Sequence, residues 1–195
     1  MCDSQSRIEE FKKAFQGFKG KKILIALRGA PDPDCISAAL AHKYILESLG
    51  IESLILYNKE ISHQENLALI KLLGIDLTFY KEEFSFDEFA GVSLVDSQYI
   101  DKFIASKIER LPIVSLVDHH EIISPPTAKF TDIRKDVGST ATIYAEYLQL
   151  LDLLEDDPDN TGSINLATAL MHGIRTDTNS FFMARENDFL SLVYL

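Results

Sequence analysis

Residues 113–120 read Ile-Val-Ser-Leu-Val-Asp-His-His, and this stretch decides the fold of the chain. A short apolar run rich in valine and isoleucine is typical of a strand buried on both faces of a parallel sheet. One carboxylate and two imidazoles follow directly where that strand ends. Because open parallel sheets bind ligands beyond the carboxyl ends of their strands, this order predicts a metal or phosphate site at that edge.

Predicted strands and helices alternate on both sides of this stretch. The alternation predicts a doubly wound α/β fold with a mainly parallel sheet and helices on both faces. Residues 84–89 are expected to form a loop or short helical turn, and 155–160 an acidic loop. The predicted strands lie at 23–27, 52–57, 77–80, 92–95, 113–117 and 128–133, and the predicted helices at 8–18, 35–49, 66–73, 100–109, 140–154, 164–174 and from 187 onward.

The composition is that of one soluble, acidic domain. The 195 residues are 46% hydrophobic, which suffices for one well-packed core. The net charge of −11 opposes non-specific binding of nucleic acid, so we expect no long duplex as a partner. The acidity is also explained by solubility alone. A phosphorylated substrate would need divalent metals or a few aimed Arg and Lys side chains.

The N-terminus, the lengths of the apolar runs and the two cysteines indicate the cellular compartment of the protein. No apolar run approaches the length of a bilayer span, and residues 1–20 lack the apolar region of a signal peptide. We therefore expect a cytoplasmic protein with no membrane partner. Cys2 and Cys35 form neither a disulfide framework nor a zinc motif. The last predicted helix is cut off at Leu195, so the chain reads as the first part of something longer.

Acidic residues follow several of the buried segments. They are Asp32 and Asp34 after the first strand, Asp96 after the fourth, 118–120 after the fifth, and Asp177 after a late helix. Each acid alone is commonly a turn residue or a helix cap. Several carboxylates at one sheet edge would repel one another unless cations were present. Mixed carboxylate and imidazole ligands suit Mn²⁺, Fe²⁺, Co²⁺ or Mg²⁺ better than structural Zn²⁺.

Four motifs in order resemble those of the DHH phosphoesterase superfamily, and cover most of the chain. The resemblance is to the branch of oligoribonucleases, nucleotide phosphatases and exopolyphosphatase-related proteins. It implies a metal-dependent hydrolase acting on ester bonds. The motifs are 31–34 with 36–38, Asp96, the Asp-His-His of 118–120, and 173–178, and the Gly-Ser-Thr of 138–140 resembles the same branch.

The resemblance implies a role for each motif residue. One Mn²⁺ site would be completed by four side chains, and Mg²⁺ or Co²⁺ are alternatives to Mn²⁺. A second metal site would use Asp32 and Asp96, with Asp96 bridging the two ions. The four side chains of the first site are Asp34, Asp96, His119 and Asp177.

Two further residues of the Asp-His-His motif are implied to be catalytic. Asp118 would orient the site. His120 would contact the substrate phosphate or protonate the leaving oxygen, and structural hydrogen bonding is its alternative role. Ser139 and Thr140 would hold phosphate at a helix N-terminus, with a helix cap as the equally weighted alternative.

Arg28 departs from the family pattern, because the first motif usually begins with a metal-binding histidine. Guanidinium stays protonated and cannot ligate a metal. The second metal site would therefore be depleted, while Arg28 could contact substrate phosphate directly.

The resemblance also implies a domain organisation. Residues 1–195 would be the N-terminal DHH catalytic domain alone. The full-length protein would carry a C-terminal substrate-binding domain with a Gly-rich motif, and a homodimer is one assembly that fits.

We therefore expect a phosphoesterase that hydrolyses a short oligonucleotide or a nucleotide with a metal-activated water. Two alternatives stay open: a pyrophosphatase or exopolyphosphatase, and a non-catalytic nucleotide- or phosphate-binding regulatory module. Among the remaining histidines, His42 and His63 are expected at the surface and His172 in the core.

Overall fold

The computed structural model describes residues 2–155, 157 and 159–195, so positions 156 and 158 of the expected acidic loop lie outside the described residues. The strands are β1 (Lys22–Ala26), β2 (Glu52–Tyr57), β3 (Thr78–Phe79), β4 (Phe89–Val95), β5 (Ile113–Asp118) and β6 (Phe130–Ile133). The helices are α1 (Cys2–Phe15), α2 (Pro33–Ser48), α3 (Gln64–Leu73), α4 (Lys102–Ile108), α5 (Thr140–Leu151), α6 (Thr161–Asp177) and α7 (Glu186–Tyr194).

The strands form one sheet in the order β3-β2-β1-β4-β5-β6, and every pairing is parallel. The predicted doubly wound α/β fold is confirmed. The chain builds outward from β1 through β2 to β3, then returns to place β4 on the other side of β1. The strand order therefore reverses between β1 and β4, and such a switch point is where open α/β sheets bind ligands.

Alternate side chains of β1 supply the two halves of the core. Ile23 and Ile25 pack with residues of α1, α2, α5 and α6 on one face of the sheet. Leu24 and Ala26 pack with residues of α4 and of the 84–89 segment on the other. This two-residue period is the geometry of a strand buried on both faces.

Most boundaries agree with the prediction within about three residues, but α1, predicted at 8–18, begins six residues earlier at Cys2 and ends at Phe15. Helix α5 stops at Leu151 because Asp152 adopts a left-handed backbone with φ of 52°. Helix α6 continues past the expected end at 174, so Asp177 lies in its last turn rather than after it. Within the described part of the chain, no helix has the length and apolar character needed to cross a membrane.

Gly173 lets α6 approach α2 and α5 closely beside the candidate site. A Cβ atom at this position would lie 2.3 Å from Ser37 Oγ and 3.2 Å from both Ala141 Cβ and Asp34 Cα. The close approach explains a glycine inside a helix, where it costs about 1 kcal/mol relative to alanine. Gly173 thereby sets the distance between Asp177, one turn further along α6, and Asp34.

We expect Gly173→Ala to lower the free energy of unfolding by about 1–3 kcal/mol, because an added methyl group overpacks this contact. The Ser37 hydroxyl would have to leave its 3.1 Å hydrogen bond to the Asp34 carbonyl, and α2 and α6 would have to separate. Urea unfolding in EDTA measures the change. Gly17→Ala is the matched control, since no atom lies within 4 Å of its added Cβ. Equal stability of the two variants would contradict the packing role of Gly173.

His42 is buried, and the prediction that it lies at the surface is wrong. Its Nδ1 lies 2.9 Å from the Tyr144 hydroxyl, and its ring packs against Phe11 and Phe15. Burial lowers the pKa of His42 to about 3. On α2 it faces α1 and α5, a fact that the pattern of neighbouring residues did not reveal. His63 is exposed as predicted, and His172 is half-buried on α6.

The buried imidazole of His42 is expected to make folding sensitive to acid. Its contribution to stability is complete above the unfolded pKa, near 6.5, and is lost progressively as the pH falls toward its folded pKa of about 3. Between about pH 7 and about pH 5 the loss is ~2 kcal/mol. Unfolding of wild type and His42→Asn across this range should differ by that amount, whereas His63→Asn should follow the wild type. Parallel pH profiles for all three proteins would rule out the effect.

Candidate functional site

The candidate site lies where the first turn of α2 meets the N-terminus of α5. Asp34 is 1% exposed, and each of its carboxylate oxygens accepts a backbone hydrogen bond. Oδ2 accepts from the Thr140 N–H at 2.8 Å and Oδ1 from the Ala141 N–H at 2.7 Å. The N-terminus of a helix favours negative charge, so this arrangement orients and supports the buried carboxylate.

Ser139 and Thr140 serve the acids of the site. Ser139 is the N-cap of α5 and its hydroxyl accepts from the Thr142 N–H at 3.1 Å. The Thr140 hydroxyl donates to Asp96 Oδ1 at 2.8 Å. Both residues are fully buried, and both donors of Thr140 are engaged by carboxylates. The structure thus places them as a cap and a carboxylate clamp, rather than open to a phosphate group.

Asp96 directly follows β4 in a strained conformation. Its φ of 55° is in the left-handed region, which costs a residue other than glycine about 1–2 kcal/mol. Its N–H still donates to the Val117 carbonyl at 2.9 Å, and its carboxylate is held by Thr140. The turn aims the carboxylate toward the end of β5, so the strain accompanies a specific direction of the side chain.

His119 joins three acids that come from three different elements. Its Nε2 lies 3.0 Å from Asp177 Oδ2, 3.8 Å from Asp96 Oδ1 and 3.9 Å from Asp34 Oδ2. The ligand atoms of Asp34, His119 and Asp177 all lie within 4.8 Å of one another. The same limit holds for Asp96, His119 and His120. The described residues therefore contain two adjoining groups that could hold a metal, with His119 common to both.

Asp118 is buried behind the two histidines and orients one of them. Its Oδ1 lies 2.8 Å from His120 Nδ1, and its Oδ2 accepts from the Gln98 side chain at 2.7 Å. Gln98 is 3% exposed; it also donates to the Glu121 carbonyl at 2.9 Å and accepts from the Ile123 N–H at 3.0 Å. Sequence reasoning missed Gln98, because an amide three residues after a strand carries no periodic or motif signal.

Asp34 and Asp96 are expensive to ionise. Burial is the main cause that raises the pKa of Asp34 to about 7; the charge of His119 opposes it, while Asp177 and Asp32 add to it. Burial, followed by the charges of Asp34 and Asp32, raises the pKa of Asp96 well above its usual value. A cation held among these carboxylates would offset both the desolvation and the repulsion.

The neighbouring carboxylates also shift the pKa values of His119 and His120. Burial lowers the pKa of His119, but its hydrogen bond to Asp177 and the charge of Asp34 outweigh burial and raise it. The hydrogen bond to Asp118 raises the pKa of His120. Burial alone would raise the pKa of Asp118, yet its hydrogen bonds with His120 and Gln98 lower it overall.

The donor set fits a divalent cation. Carboxylate oxygens and imidazole nitrogens lie close together in both groups, and neither group includes a thiolate. The raised pKa values of Asp34 and Asp96 indicate that neighbouring positive charge is too small to stabilise their ionised forms. This set suits Mn²⁺, Fe²⁺, Co²⁺ or Mg²⁺. Asp34, His119 and Asp177 would hold one ion. Asp96 and His120, with His119, form the adjoining group.

Asp32 and Arg28 are among the predicted site residues that lie outside both groups. Asp32 is exposed and caps α2, where its Oδ1 accepts from the Cys35 N–H at 2.9 Å. Pro33 occupies the first turn, which suits its missing N–H. Arg28 is exposed after β1, and its guanidinium carbon lies 5.3 Å from the centre of the Tyr99 ring. The structure therefore brings together Asp34, Asp96, Asp118, His119, His120 and Asp177.

Asp188 supports the site from α7 and was also missed. It is fully buried and accepts from the Gly138 N–H at 2.9 Å, the Thr142 hydroxyl at 2.6 Å and the Arg185 N–H at 2.7 Å. These bonds hold the loop that precedes α5, and α5 holds Asp34. Only the capping position of Asp188 near the start of α7 could have been read from the sequence.

Comparisons with known proteins agree with this architecture. The model of the DHH family, N-terminal domain, matches residues 22–174. The uncharacterised protein MJ1633 of Methanocaldococcus jannaschii is 36% identical over 195 residues, which cover 100% of this chain and 37% of that protein. The chain thus spans little more than a third of the length of this curated relative.

Solved structures with the same fold include two proteins of low sequence identity. An exopolyphosphatase-related protein from Bacteroides fragilis is 17% identical, with a TM-score of 0.73 over 97% of this chain and 56% of that chain. Exonuclease RecJ bound to manganese is 13% identical, with a TM-score of 0.55 over 98% of this chain and 46% of that chain. At these identities the likeness concerns the fold, and the family match covers most of the sequence. The chain belongs to the DHH family and carries its N-terminal domain at residues 22–174.

Proposed function

We propose that this chain is the catalytic domain of a divalent-metal-dependent phosphoesterase, a hydrolase acting on ester bonds. The observation that carries the proposal is the convergence of Asp34, Asp96, His119 and Asp177 at the switch point of the sheet. Membership of the DHH family supports phosphoester chemistry for such a site. Mn²⁺ is the proposed metal, with Mg²⁺ and Co²⁺ as alternatives.

The contacts of each site residue indicate its proposed role. Asp34, His119 and Asp177 would hold one cation, and Asp96 would contribute to a second. A bound divalent cation supplies Lewis acidity, which activates water and neutralises charge on phosphoryl oxygens. Thr140 keeps the Asp96 carboxylate directed toward His119 and His120.

His120 is the proposed proton donor to the leaving oxygen. Its Nδ1 is engaged by Asp118, which leaves Nε2 to meet the substrate. The same hydrogen bond raises the pKa of His120 and so favours the protonated ring that a general acid requires. Its ring is the more exposed of the two, with 59% of the side chain exposed against 14% for His119.

The proposed substrate is a short oligonucleotide or a nucleotide. The net charge of −11 disfavours long nucleic acids, whereas a small phosphorylated molecule can be gripped by metals and one or two cations. Arg28 is the proposed phosphate contact from the chain itself. Hydrolysis of pyrophosphate or polyphosphate is an alternative within the same chemistry.

A second candidate function is a non-catalytic module that binds nucleotides or phosphate. It is favoured by Arg28, which cannot replace a metal-binding histidine, and by Asp32, which caps α2 outside both groups. Such a module would hold one metal or none.

Two measurements on the full-length protein test these proposals. Metal analysis after purification with Mn²⁺ should give two ions per chain for the phosphoesterase, whereas one or none supports the module. Hydrolysis with Mn²⁺ should be compared on pApA, adenosine 3′,5′-bisphosphate, pyrophosphate and polyphosphate. Turnover of either nucleotide in preference to the inorganic substrates supports our proposal. No turnover of any substrate by the metal-loaded protein would overturn it.

The proposed setting is a cytoplasmic protein that assembles as a homodimer. A C-terminal substrate-binding domain is proposed to complete the cleft in the full-length protein. Size-exclusion chromatography with light scattering tests the dimer.

A further inference from the structure

Arg28 is held by an aromatic ring rather than by an acid. Its guanidinium carbon lies 5.3 Å from the centre of the Tyr99 ring, within the range of a cation–π contact. Among the described residues, the guanidinium has no hydrogen bond or ion pair. Because no hydrogen bond or ion pair with a described residue occupies the guanidinium, its N–H donors are available to a ligand.

Tyr99 is fixed by the loop that connects it to the candidate metal centre. The loop begins at Asp96, and the Ser97 hydroxyl closes a turn with the Tyr99 backbone, accepting its N–H at 3.2 Å and donating to its carbonyl at 3.1 Å. Between them, Gln98 is buried and bound to Asp118. The ring that carries Arg28 is therefore attached to a short, anchored segment.

The pair also stands at the place where a ligand is expected. Arg28 follows β1 and Tyr99 follows β4, and these two strands flank the switch point of the sheet. A guanidinium stays protonated and cannot hold a metal, so Arg28 would act on the substrate directly rather than through an ion. The planar guanidinium binds phosphate through two parallel hydrogen bonds, and a stacked guanidinium has less freedom to lose on binding.

We infer that Tyr99 is a positioning residue that holds Arg28 for a second, non-reacting phosphate group of the substrate. The inference rests on the proposed phosphoesterase function and narrows its substrate class. The substrate is a nucleotide or short oligonucleotide that carries a phosphate beyond the one attacked. Arg28 thereby contributes selectivity at the place where a histidine would have contributed to metal binding.

Comparing two substrates with the same scissile bond separates recognition of a second phosphate from a general effect on catalysis. The dinucleotide pApA carries a 5′-phosphate that ApA lacks. Arg28→Met should raise KM for pApA by about 10–100-fold, the value of charged hydrogen bonds, with little change in kcat and none for ApA. Tyr99→Leu should raise KM for pApA ~3-fold. Tyr99→Phe and Tyr99→Trp keep an aromatic ring beside Arg28, so their KM for pApA should equal that of the wild type.

A double-mutant cycle makes the test specific. In the Arg28→Met background, Tyr99→Leu should have no further effect on KM, because the residue that it positions is gone. The matched control is Phe103→Leu, which removes an exposed ring 5.5 Å from Lys102 Nζ and should change neither KM nor kcat. Additive effects, or equal losses on ApA and pApA, would overturn the inference and indicate that Tyr99 stacks on a base.

Equilibrium binding of adenosine 3′,5′-bisphosphate separates this inference from the proposed function. If the protein turns over no substrate but the cycle is reproduced in binding, the phosphoesterase proposal fails and the positioning role stands. If the protein hydrolyses pApA and the two substitutions act independently, the positioning role fails alone.

Discussion

Replacing Asp96 by asparagine is expected to lower Mn²⁺-dependent hydrolysis by at least ~10³-fold and to reduce the bound metal. Asparagine preserves the shape of the side chain and tolerates the left-handed backbone that Asp96 adopts, with φ of 55°. The substitution therefore removes a charge from the site without removing the turn. Metal content per chain and kcat on pApA measure the effect.

The stability of the same variant provides an independent readout. Burial and the neighbouring Asp34 and Asp32 raise the pKa of Asp96, so its ionised form destabilises the metal-free protein at neutral pH. In EDTA, Asp96→Asn should therefore have a Tm equal to or above that of the wild type. The rise in Tm that Mn²⁺ gives the wild type should shrink in the variant, because a ligand stabilises only the state that binds it.

Asp76→Asn is the control for the loss of one carboxylate. Asp76 is exposed, and its contact is a 3.9 Å pair with Lys43. This variant should retain wild-type metal content and activity. If Asp96→Asn binds as much Mn²⁺ as the control, Asp96 is not a ligand.

His120→Asn is expected to lower kcat by about 10²–10⁴-fold while one metal ion stays bound. Asparagine keeps a donor toward Asp118 but has no proton to transfer in the working range of pH. Asp34, His119 and Asp177 do not depend on His120 in the structure. Pre-steady-state kinetics and metal analysis separate the chemical step from metal loss. Total loss of metal from this variant would reassign His120 as an essential ligand.

Asp118→Asn tests how His120 is tuned. The Asp118 carboxylate raises the pKa of His120, so the loss of this negative charge should lower it. If protonated His120 is the acid, activity falls as the pH rises through its pKa, and the alkaline limb of the pH–rate profile should move to lower pH in the variant. His172→Asn is the control on α6, and its profile should match that of the wild type. An unshifted alkaline limb in Asp118→Asn would show that this limb does not arise from deprotonation of His120.

The elements that local pattern determines were predicted well. Apolar runs bounded by turn residues placed the buried strands within a few residues, since strand and helix periods are properties of short segments. The doubly wound fold followed from their alternation. The DHH family followed from four short motifs, and both conclusions agree with the sheet and with the family match.

Contacts between distant segments were beyond such patterns. Gln98 and Asp118 are 20 positions apart in the chain. Asp188 binds Thr142 and Gly138, which are 46 and 50 positions away, and Thr140 binds Asp34 across 106 positions. No local period reports a partner at those separations. His42 shows the same limit, because a histidine among apolar residues on α2 has the same pattern whether it faces the core or the solvent.

The sequence by itself determined which residue types stand at the carboxyl ends of the strands, and hence that acids and imidazoles would gather at one edge. Only the tertiary structure decided how those acids differ. Asp32 became a helix cap, Asp34 was held at the N-terminus of α5, and Asp96 was aimed by a left-handed turn. The reason is physical: a carboxylate has the same chemistry wherever it occurs, and its surroundings determine whether it caps a helix, is suited to holding a metal or positions a histidine, as Asp118 does for His120.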